Sequence, residues 1–252
     1  MDFEILSKDK NVFKKDNMVI KPLERWSSNI HSFLSFLYQN NLPVQKLIKI
    51  DDKNEYFEYI EGEQIHPYRW TNESLNDIGD FIKRLHNIEK KFDYNEKMEW
   101  KPWYLREIGT PNIISHGDIA PWNVITKDGK LIGLIDWEYT GPIDPLIELA
   151  RICWLFPQLH DDDIGKKYNL PSPKIRGKQV KIILDAYGLE KEKRRDFIEK
   201  IMEVIICETA HEAIDNNVTM ETIGNLWGMG WRNRSLYWIL RNRKELEKEI
   251  IS

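Results

Sequence analysis

Three oxygen-bearing side chains stand at fixed offsets in the segment ISHGDIAPWNVITKDGKLIGLIDWEY, which runs from Ile114 to Tyr139. Asn123 follows Asp118 by five residues, and Asp136 follows Asn123 by thirteen, at the end of the run LIGLI. A loop followed by a β-hairpin can bring all three together at one end. Converging Asn and Asp oxygens suit Mg²⁺, a hard cation that takes oxygen ligands and keeps substrate phosphates in its shell. Asp118 would then be left to orient a hydroxyl nucleophile and accept its proton, so the spacing indicates phosphoryl transfer from a nucleotide.

The same offsets also have a simpler structural interpretation. In it, Asp118 and Asn123 cap turns and Asp136 caps the end of a strand. Three independent caps rarely fall at these offsets in the right order of elements, so the catalytic interpretation is favoured.

Composition restricts the class of protein. The chain has 252 residues, 41% hydrophobic and 31% charged, as is ordinary for a globular protein. A net charge of −4 and a pI near 5.9 give no electrostatic case for nucleic acid or an anionic membrane as the partner. Cys153 and Cys207 lie in apolar runs and are expected to be free thiols. With no apolar signal region and no stretch of 18 uninterrupted apolar residues, we expect a cytoplasmic protein; its oligomeric state stays open.

The elements that must position the three residues fall into two parts. Alternating apolar runs predict strands at 3–6, 11–15, 18–21, 46–50 and 56–60, with one helix over Ile30–Tyr38 whose N-cap is Ser27 or Ser28. From Gly62 onward the pattern becomes helical, beginning with an N-cap at Thr71 or Asn72. We place one domain boundary at Glu61–Gly62.

Residues 112–139 interrupt the helical part with two short β-type runs around the turn Lys127-Asp128-Gly129-Lys130. Further helices are predicted at 145–156, about 174–187, about 191–215 and about 227–250. The apolar face of the last helix is predicted to carry Leu236, Ile239, Leu240 and Leu246. The fold class is therefore α+β.

Together these motifs resemble a known superfamily. His116-Gly117-Asp118, then four residues and Asn123, followed by Asp136-Trp137-Glu138, is similar to the aminoglycoside phosphotransferase and choline kinase superfamily. The stretch from Gly141 to Pro145, with Asp144 before the proline, is similar to the usual continuation. The resemblance implies a protein-kinase-like fold, with a nucleotide-binding N-terminal lobe over 1–61 and a helical C-terminal lobe over 62–252.

The resemblance also implies an activity. It is ATP- and Mg²⁺-dependent transfer to a hydroxyl of a small molecule, with an aminoglycoside-like antibiotic as the suggested acceptor. It makes Asp118 the base, and Asn123 and Asp136 the metal ligands. Lys21 becomes the phosphate contact and Tyr59, Ile60 and Glu61 the hinge whose backbone meets adenine. The simpler alternatives are a surface lysine and edge-strand packing.

Other roles are structural. His116 is expected to brace the loop, and Asp144 to fix a loop or cap a helix. The acceptor would lie near the Asp118 loop, where Glu148 and Asp161–Asp163 are candidates for attracting a cation; a solvated loop or helix start is preferred for the Asp run.

Two departures from the family pattern concern the nucleotide. The loop after the first strand, Ser7-Lys8-Asp9-Lys10, contains no glycine, so a phosphate contact there must come from a serine or from lysines. The helix at 28–39 offers no Glu to pair with Lys21, and Glu24 lies in the wrong place. A non-catalytic nucleotide-binding or immunity-type protein therefore remains the alternative. The segment after Asp136 is too short for a protein-kinase activation loop, and the choice between ATP and GTP stays open.

Overall fold

The computed structural model describes residues 3–8, 10–65, 70–95, 97–219, 221, 222, 224 and 226–252. Asp9 of the glycine-free loop lies outside the described residues. None of the helices in the described ranges combines the length and the apolarity needed to cross a membrane.

The first part of the chain is a five-stranded antiparallel sheet. Its strands are β1 (Glu4–Ser7), β2 (Val12–Lys15), β3 (Met18–Pro22), β4 (Leu47–Ile50) and β5 (Asn54–Glu58), in the spatial order β1-β2-β3-β5-β4. A two-residue turn joins β2 to β3, and Asp16 in that turn takes a positive φ of 51°, a conformation that Asp tolerates. The predicted sheet with one inserted helix is confirmed.

Helix α1 (Ser27–Gln39) packs an apolar stripe against this sheet. Ile30, Phe33, Leu34 and Leu37 recur at helical spacing and are all buried. The predicted N-cap is wrong: Trp26 occupies that position without a side-chain cap, and Ser27 is already helical. The Ser27 hydroxyl instead accepts a hydrogen bond from the Glu24 amide at 3.0 Å, which fixes the preceding turn.

The second part is mainly helical. Its helices are α2 (Asn72–Glu89), α3 (Pro145–Leu155), α4 (Asp162–Lys167), α5 (Pro173–Tyr187), α6 (Phe197–Asp215) and α7 (Trp227–Ile251). Thr71 caps α2 as predicted, because its side chain accepts from the Ser74 amide at 3.1 Å. A continuous buried core joins these helices, and its largest side chains include Trp154, Phe156, Phe197 and Trp238.

Two short antiparallel ribbons lie between α2 and α3. Strand β6 (Ile113–Ser115) pairs with β9 (Gly141–Ile143), and β7 (Val124–Lys127) pairs with β8 (Lys130–Leu134). The predicted turn at Asp128-Gly129 is confirmed, with positive φ at both residues. The β6–β9 pairing holds the two ends of the segment from Ile114 to Tyr139 close together; this range is the candidate catalytic segment.

The connection between the two parts is hydrogen-bonded to the β7–β8 hairpin. Glu63 and Thr126 exchange two backbone hydrogen bonds of 2.8 Å, and the Leu134 amide donates to the Pro43 carbonyl at 2.9 Å. Gly62 lies so close to the hairpin that a Cβ there would come within 2.6 Å of the Thr126 carbonyl. Gly62 thus lies in the connection between β5, which ends at Glu58, and α2, which begins at Asn72, and the domain boundary at Glu61–Gly62 stays a prediction.

Two details of the helical part differ from expectation. The helix predicted from 191 begins at Phe197, after a separate 3₁₀ turn over Lys191–Arg194. Leu240 is 55% exposed and does not belong to the buried face of α7. The Asp161–Asp163 run begins α4, with Asp161 as its N-cap, so the helix start preferred for this run is confirmed.

Candidate active site

The catalytic segment is braced from within by His116. This imidazole is fully buried; its Nδ1 accepts from the Asp118 amide at 3.1 Å and its Nε2 lies 2.9 Å from the Ile135 carbonyl. The two contacts together require a neutral ring with the proton on Nε2. Burial also lowers the pKa of His116, which favours the neutral form. The predicted bracing role is confirmed.

A buried carboxylate on α3 holds the same segment from the other side. Glu148 accepts from the Gly117 amide and from the Ser115 hydroxyl, both at 2.6 Å, and lies 2.9 Å from His86 Nε2. Burial opposes its ionisation, but the His86 and Ser115 hydrogen bonds hold the pKa of Glu148 below its ordinary value. Glu148 therefore fixes the loop, and the suggestion that it attracts a cationic acceptor is wrong.

Asp118 lies in the loop that these contacts hold. Its Oδ1 pairs with Arg151 Nη2 at 2.7 Å, and its Oδ2 accepts from Asn123 Nδ2 at 3.1 Å. Burial raises the pKa of Asp118, and the charge of Arg151 opposes that rise. Arg151 was not anticipated from the sequence. No spacing in the sequence indicates this ion pair, because Arg151 meets Asp118 only when α3 packs beneath the loop.

Asn123 and Asp136 are neighbours at the open end of the β7–β8 hairpin. The Ile135 amide donates to the Asn123 carbonyl at 2.9 Å, which extends the hairpin by one pair. Asn123 Nδ2 is engaged with Asp118, so its Oδ1 is the atom that can face a cation. Asp136 adopts a left-handed conformation with φ of 64°, which ends β8 and starts a 3₁₀ turn. These two hard oxygen donors fit Mg²⁺.

The carboxylate of Asp136 is held by two ammonium groups. Lys21 Nζ lies 3.1 Å from its Oδ1, and Lys10 Nζ lies 3.2 Å from its Oδ2. Burial alone would raise the pKa of Asp136, but Lys21 and Lys10 hold it far below its ordinary value. Lys21 therefore lies where the resemblance implied, beside the metal-ligand position.

The usual helix glutamate is absent from this site, as the sequence indicated. Helix α1 instead presents His31, whose Nε2 lies 2.7 Å from a carboxylate oxygen of Glu55 on β5. The side-chain contact between α1 and the sheet is thus made by His31 and Glu55 and does not involve Lys21. Among the described ion pairs, Lys21 pairs with Asp136 only.

A cavity of about 450 Å³ lies between the sheet and the β7–β8 hairpin. Its lining includes Lys10, Lys21, Asn123 and Asp136, together with Tyr59, Ile60, Gly62 and Gln64 of the connection. Glu61 is exposed and does not line the cavity. Gly62 and Gln64 were not anticipated; the Gln64 side-chain Nε2 donates to the Trp122 carbonyl at 2.6 Å and so joins the connection to the loop that carries Asp118 and Asn123.

Aromatic rings line the outer side of the catalytic loop. Trp103 donates from Nε1 to the Gly117 carbonyl at 2.7 Å, and its ring centroid lies 3.9 Å from Tyr139 and 4.0 Å from Tyr104. Asp144 caps α3 by accepting from the Leu146 amide at 2.8 Å and also accepts from the Thr110 amide, so its predicted structural role is confirmed.

The arrangement combines a largely buried carboxylate, Asp118, with two oxygen donors that fit a divalent cation and two ammonium groups beside a cavity. These are the types of group that phosphoryl transfer uses, and a small sheet followed by a helical part with an inserted hairpin is the order of a protein-kinase-like fold. Comparison with known proteins agrees with that class. The model of the phosphotransferase enzyme family matches residues 94–195.

Across nearly its whole length the chain is similar to a trifolitoxin immunity protein of Rhizobium leguminosarum bv. trifolii. The two are 35% identical over 246 residues, which are 95% of this chain and 94% of the relative. The chain belongs to the phosphotransferase enzyme family.

Solved structures show the same fold. Amicoumacin kinase hAmiN, in complex with AMP-PNP, Ca²⁺ and Ami, superposes with a TM-score of 0.68 at 12% identity, covering 98% of this chain and 88% of that one. A choline/ethanolamine kinase family protein from Mesorhizobium loti gives a TM-score of 0.59 at 12% identity, covering 100% and 92%. The predicted protein-kinase-like fold is therefore confirmed.

Proposed function

We propose that this protein moves the γ-phosphoryl group of ATP to a hydroxyl group of a small molecule, and that the acceptor is an antibiotic-like compound. The observation that carries the proposal is the gathering of Asp118, Asn123 and Asp136 at the end of one hairpin, with Lys21 beside them. The antibiotic kinase with the same fold and the immunity protein with similar sequence support the acceptor class.

In this proposal Asp118 accepts the proton of the acceptor hydroxyl as that oxygen attacks the γ-phosphorus, whose bond to the β–γ bridging oxygen breaks so that ADP leaves. Asp118 must be ionised to do so, and burial disfavours ionisation. Arg151 offsets this effect and fixes the direction of the carboxylate through its 2.7 Å ion pair. The aromatic rings of Trp103 and Tyr139 flank the loop and offer the acceptor an apolar wall.

The nucleotide is proposed to occupy the 450 Å³ cavity, with adenine at the backbone of Tyr59 and Ile60 and phosphates at Lys21. Asn123 Oδ1 and the Asp136 carboxylate would hold Mg²⁺. The bound metal supplies charge neutralisation for the transferred phosphoryl group. The protein's own residues orient the nucleotide, hold the base and line the cleft.

The test is nucleotide consumption with Mg²⁺ over a panel of aminoglycosides, choline-like amines, sugars and trifolitoxin. Asp118→Asn keeps the shape of the side chain and removes the base, so kcat should fall by about 10²–10⁴-fold. The matched control is Asp128→Asn in the exposed turn of the hairpin, which tolerates the same change at positive φ. Equal turnover by the Asp118 variant and the wild type would reject Asp118 as the base.

The second candidate is an immunity-type protein that binds a nucleotide without turning it over. The immunity-protein relative favours it, as does the pairing of Asp136 with two lysines in this structure. It predicts that AMP-PNP binds, that no acceptor is phosphorylated, and that Asp118→Asn protects a sensitive host as well as the wild type does. Protection lost with Asp118→Asn supports the kinase.

A further inference from the structure

The glycine-free turn between β1 and β2 directs one side chain into the cleft. In this turn the Lys10 amide lies 3.4 Å from the Ser7 hydroxyl, and Asn11 takes a positive φ of 52° before β2 begins. The β1–β2 register shifts between Ile5 and Ser7. These features change the chain direction after β1. The Lys10 side chain then extends from the sheet across the space between the sheet and the β7–β8 hairpin, which we call the cleft, to Asp136 and Glu138.

Lys10 is the centre of a row of alternating charges. Its Nζ contacts both Asp136 and Glu138, while Lys21 holds the other oxygen of Asp136 at 3.1 Å and Lys101 holds the other oxygen of Glu138 at 2.9 Å. Lys10, Lys21 and Asp136 line both the 450 Å³ cavity and a second cavity of about 370 Å³ beneath α1. The row therefore separates the two cavities at the point where the metal ligand lies.

A cation on Asp136 would compete with the two ammonium groups, because each carboxylate oxygen already has one beside it. Lys10 is the more mobile of the two, since its side chain is 46% exposed and that of Lys21 is 18% exposed. A flexible four-carbon stem lets the released ammonium swing into the adjoining cavity without moving the backbone. A nucleotide's phosphates are the anionic groups that would enter there.

We propose that Lys10 is a second phosphate-binding lysine, which leaves Asp136 when the metal and nucleotide bind and contacts the phosphates in place of glycine-loop amides. This inference rests on the proposed function, since it requires a nucleotide in the 450 Å³ cavity. It explains how a loop without glycine serves this fold: a long cation reaches phosphates that a backbone carrying side chains cannot approach closely.

The test is binding of AMP-PNP with Mg²⁺ and of adenosine by calorimetry, which needs neither acceptor nor turnover. Lys10→Met should weaken AMP-PNP binding by about 10- to 100-fold, the value of one charge-assisted hydrogen bond, and leave adenosine binding unchanged. Lys10→Arg should recover most of the loss. Lys8→Met removes the same charge from the same turn at an exposed position that lines neither cavity, and should have less than a threefold effect.

A second measurement separates this role from a simple ion pair across the cleft. Because Lys10 competes with a cation for Asp136, the Lys10→Met variant should bind Mn²⁺ more tightly than the wild type does when no nucleotide is present. Electron paramagnetic resonance of free Mn²⁺ measures this affinity. Equal AMP-PNP binding by wild type and Lys10→Met overturns the inference and leaves the proposed function intact. A wild type that binds adenosine and AMP-PNP equally weakly, with no shift on adding Mg²⁺, overturns both.

Discussion

Arg151 links Asp118, the proposed base, to the helical core. Its Nη2 pairs with Asp118, its Nε pairs with Glu208 at 2.6 Å, and its Nη1 donates to the Ile119 carbonyl at 3.0 Å. One guanidinium thus contacts two carboxylates and the backbone of the loop that carries Asp118. In the proposed reaction Arg151 is a positioning residue, because it acts through Asp118.

Replacing Arg151 by Met should change both stability and pH dependence. Asp118 would lose its ion-pair partner and Glu208 one of its two, since Arg232 Nε also lies 3.2 Å from Glu208; breaking these largely buried pairs costs about 3–5 kcal/mol of unfolding free energy. Without the opposing charge the pKa of Asp118 rises further, so the acidic limb of the kcat/KM profile should move to higher pH.

The control for this change is Arg243→Met on α7, which removes an arginine from partly exposed pairs with Glu199 and Glu247 and should cost at most about 1 kcal/mol. An unshifted acidic limb in the Arg151 variant would exclude an electrostatic role. Urea unfolding and pH–rate measurements on both variants give the two readouts.

Glu89 is a buried carboxyl group of a different kind. It is 1% exposed, and within the described residues neither of its oxygens has a hydrogen-bond partner. Burial, reinforced by the charge of Glu148, raises the pKa of Glu89 well above its ordinary value and so favours the neutral acid. His86 and Glu148 lie close enough to form a three-residue cluster with it.

Glu89→Gln tests this protonation state. Wild-type unfolding free energy should fall as pH rises above the unfolded pKa near 4.5, because only the unfolded state then releases the proton. The slope is at most about 1.4 kcal/mol per pH unit. The amide of the variant does not titrate and has no such slope. The unfolding free energy of the variant, measured by urea titration, should therefore rise relative to that of the wild type between pH 5 and 8. If the unfolding free energy of the variant instead falls further below that of the wild type as pH rises from 5 to 8, Glu89 is ionised and paired with a cation.

Two elements, the β6–β9 ribbon and the β7–β8 hairpin, set the geometry that these residues use. Gly117 follows β6 with φ of +78°, and a Cβ there would lie 2.6 Å from the Tyr139 carbonyl. The loop can therefore approach the 3₁₀ turn after Asp136 only where a side chain is missing.

Gly117→Ala should cost about 1–2 kcal/mol for the left-handed backbone alone, and more for the clash. The displaced loop should also lower kcat more than it raises the KM for nucleotide. Gly165→Ala in α4 is the matched control: nothing lies within 4 Å of its Cβ position, and an alanine there should stabilise by about 0.5–1 kcal/mol. Thermal unfolding and steady-state kinetics would separate the two; similar stabilities would mean that the backbone near Gly117 relaxes.

The elements that local sequence determines were predicted well. The β7–β8 hairpin follows from alternating apolar residues around Asp128-Gly129, and Thr71 is a cap that acts within its own turn. The errors arose where a side chain serves something outside its own turn. Arg194 is buried and pairs with Asp185 and the Leu189 carbonyl, so a 3₁₀ turn there separates it from α6.

At the scale of the whole molecule, the same distinction divides the candidate site. Asp118, Asn123 and Asp136 were found because they lie within one short segment whose spacing carries the signal. Lys10 and Asp136 are 126 residues apart, and no periodicity in the chain relates them. Arg151 and the loop-holding role of Glu148 likewise depend on how α3 packs. Spacing predicts the chemistry, whereas the charges that tune it come from tertiary structure.

The tie between Glu63 and Thr126, with that between Leu134 and Pro43, makes the cleft asymmetric. Backbone hydrogen bonds fasten the sheet to the hairpin on the β4–β5 side, whereas on the β1 side the described contact is the ionic one made by Lys10. A motion that opens the cleft would then keep the backbone hydrogen bonds on the β4–β5 side as its hinge and separate the Lys10 ion pairs on the β1 side. Exposed ion pairs weaken as salt is added, so ionic strength would set how often this mouth opens.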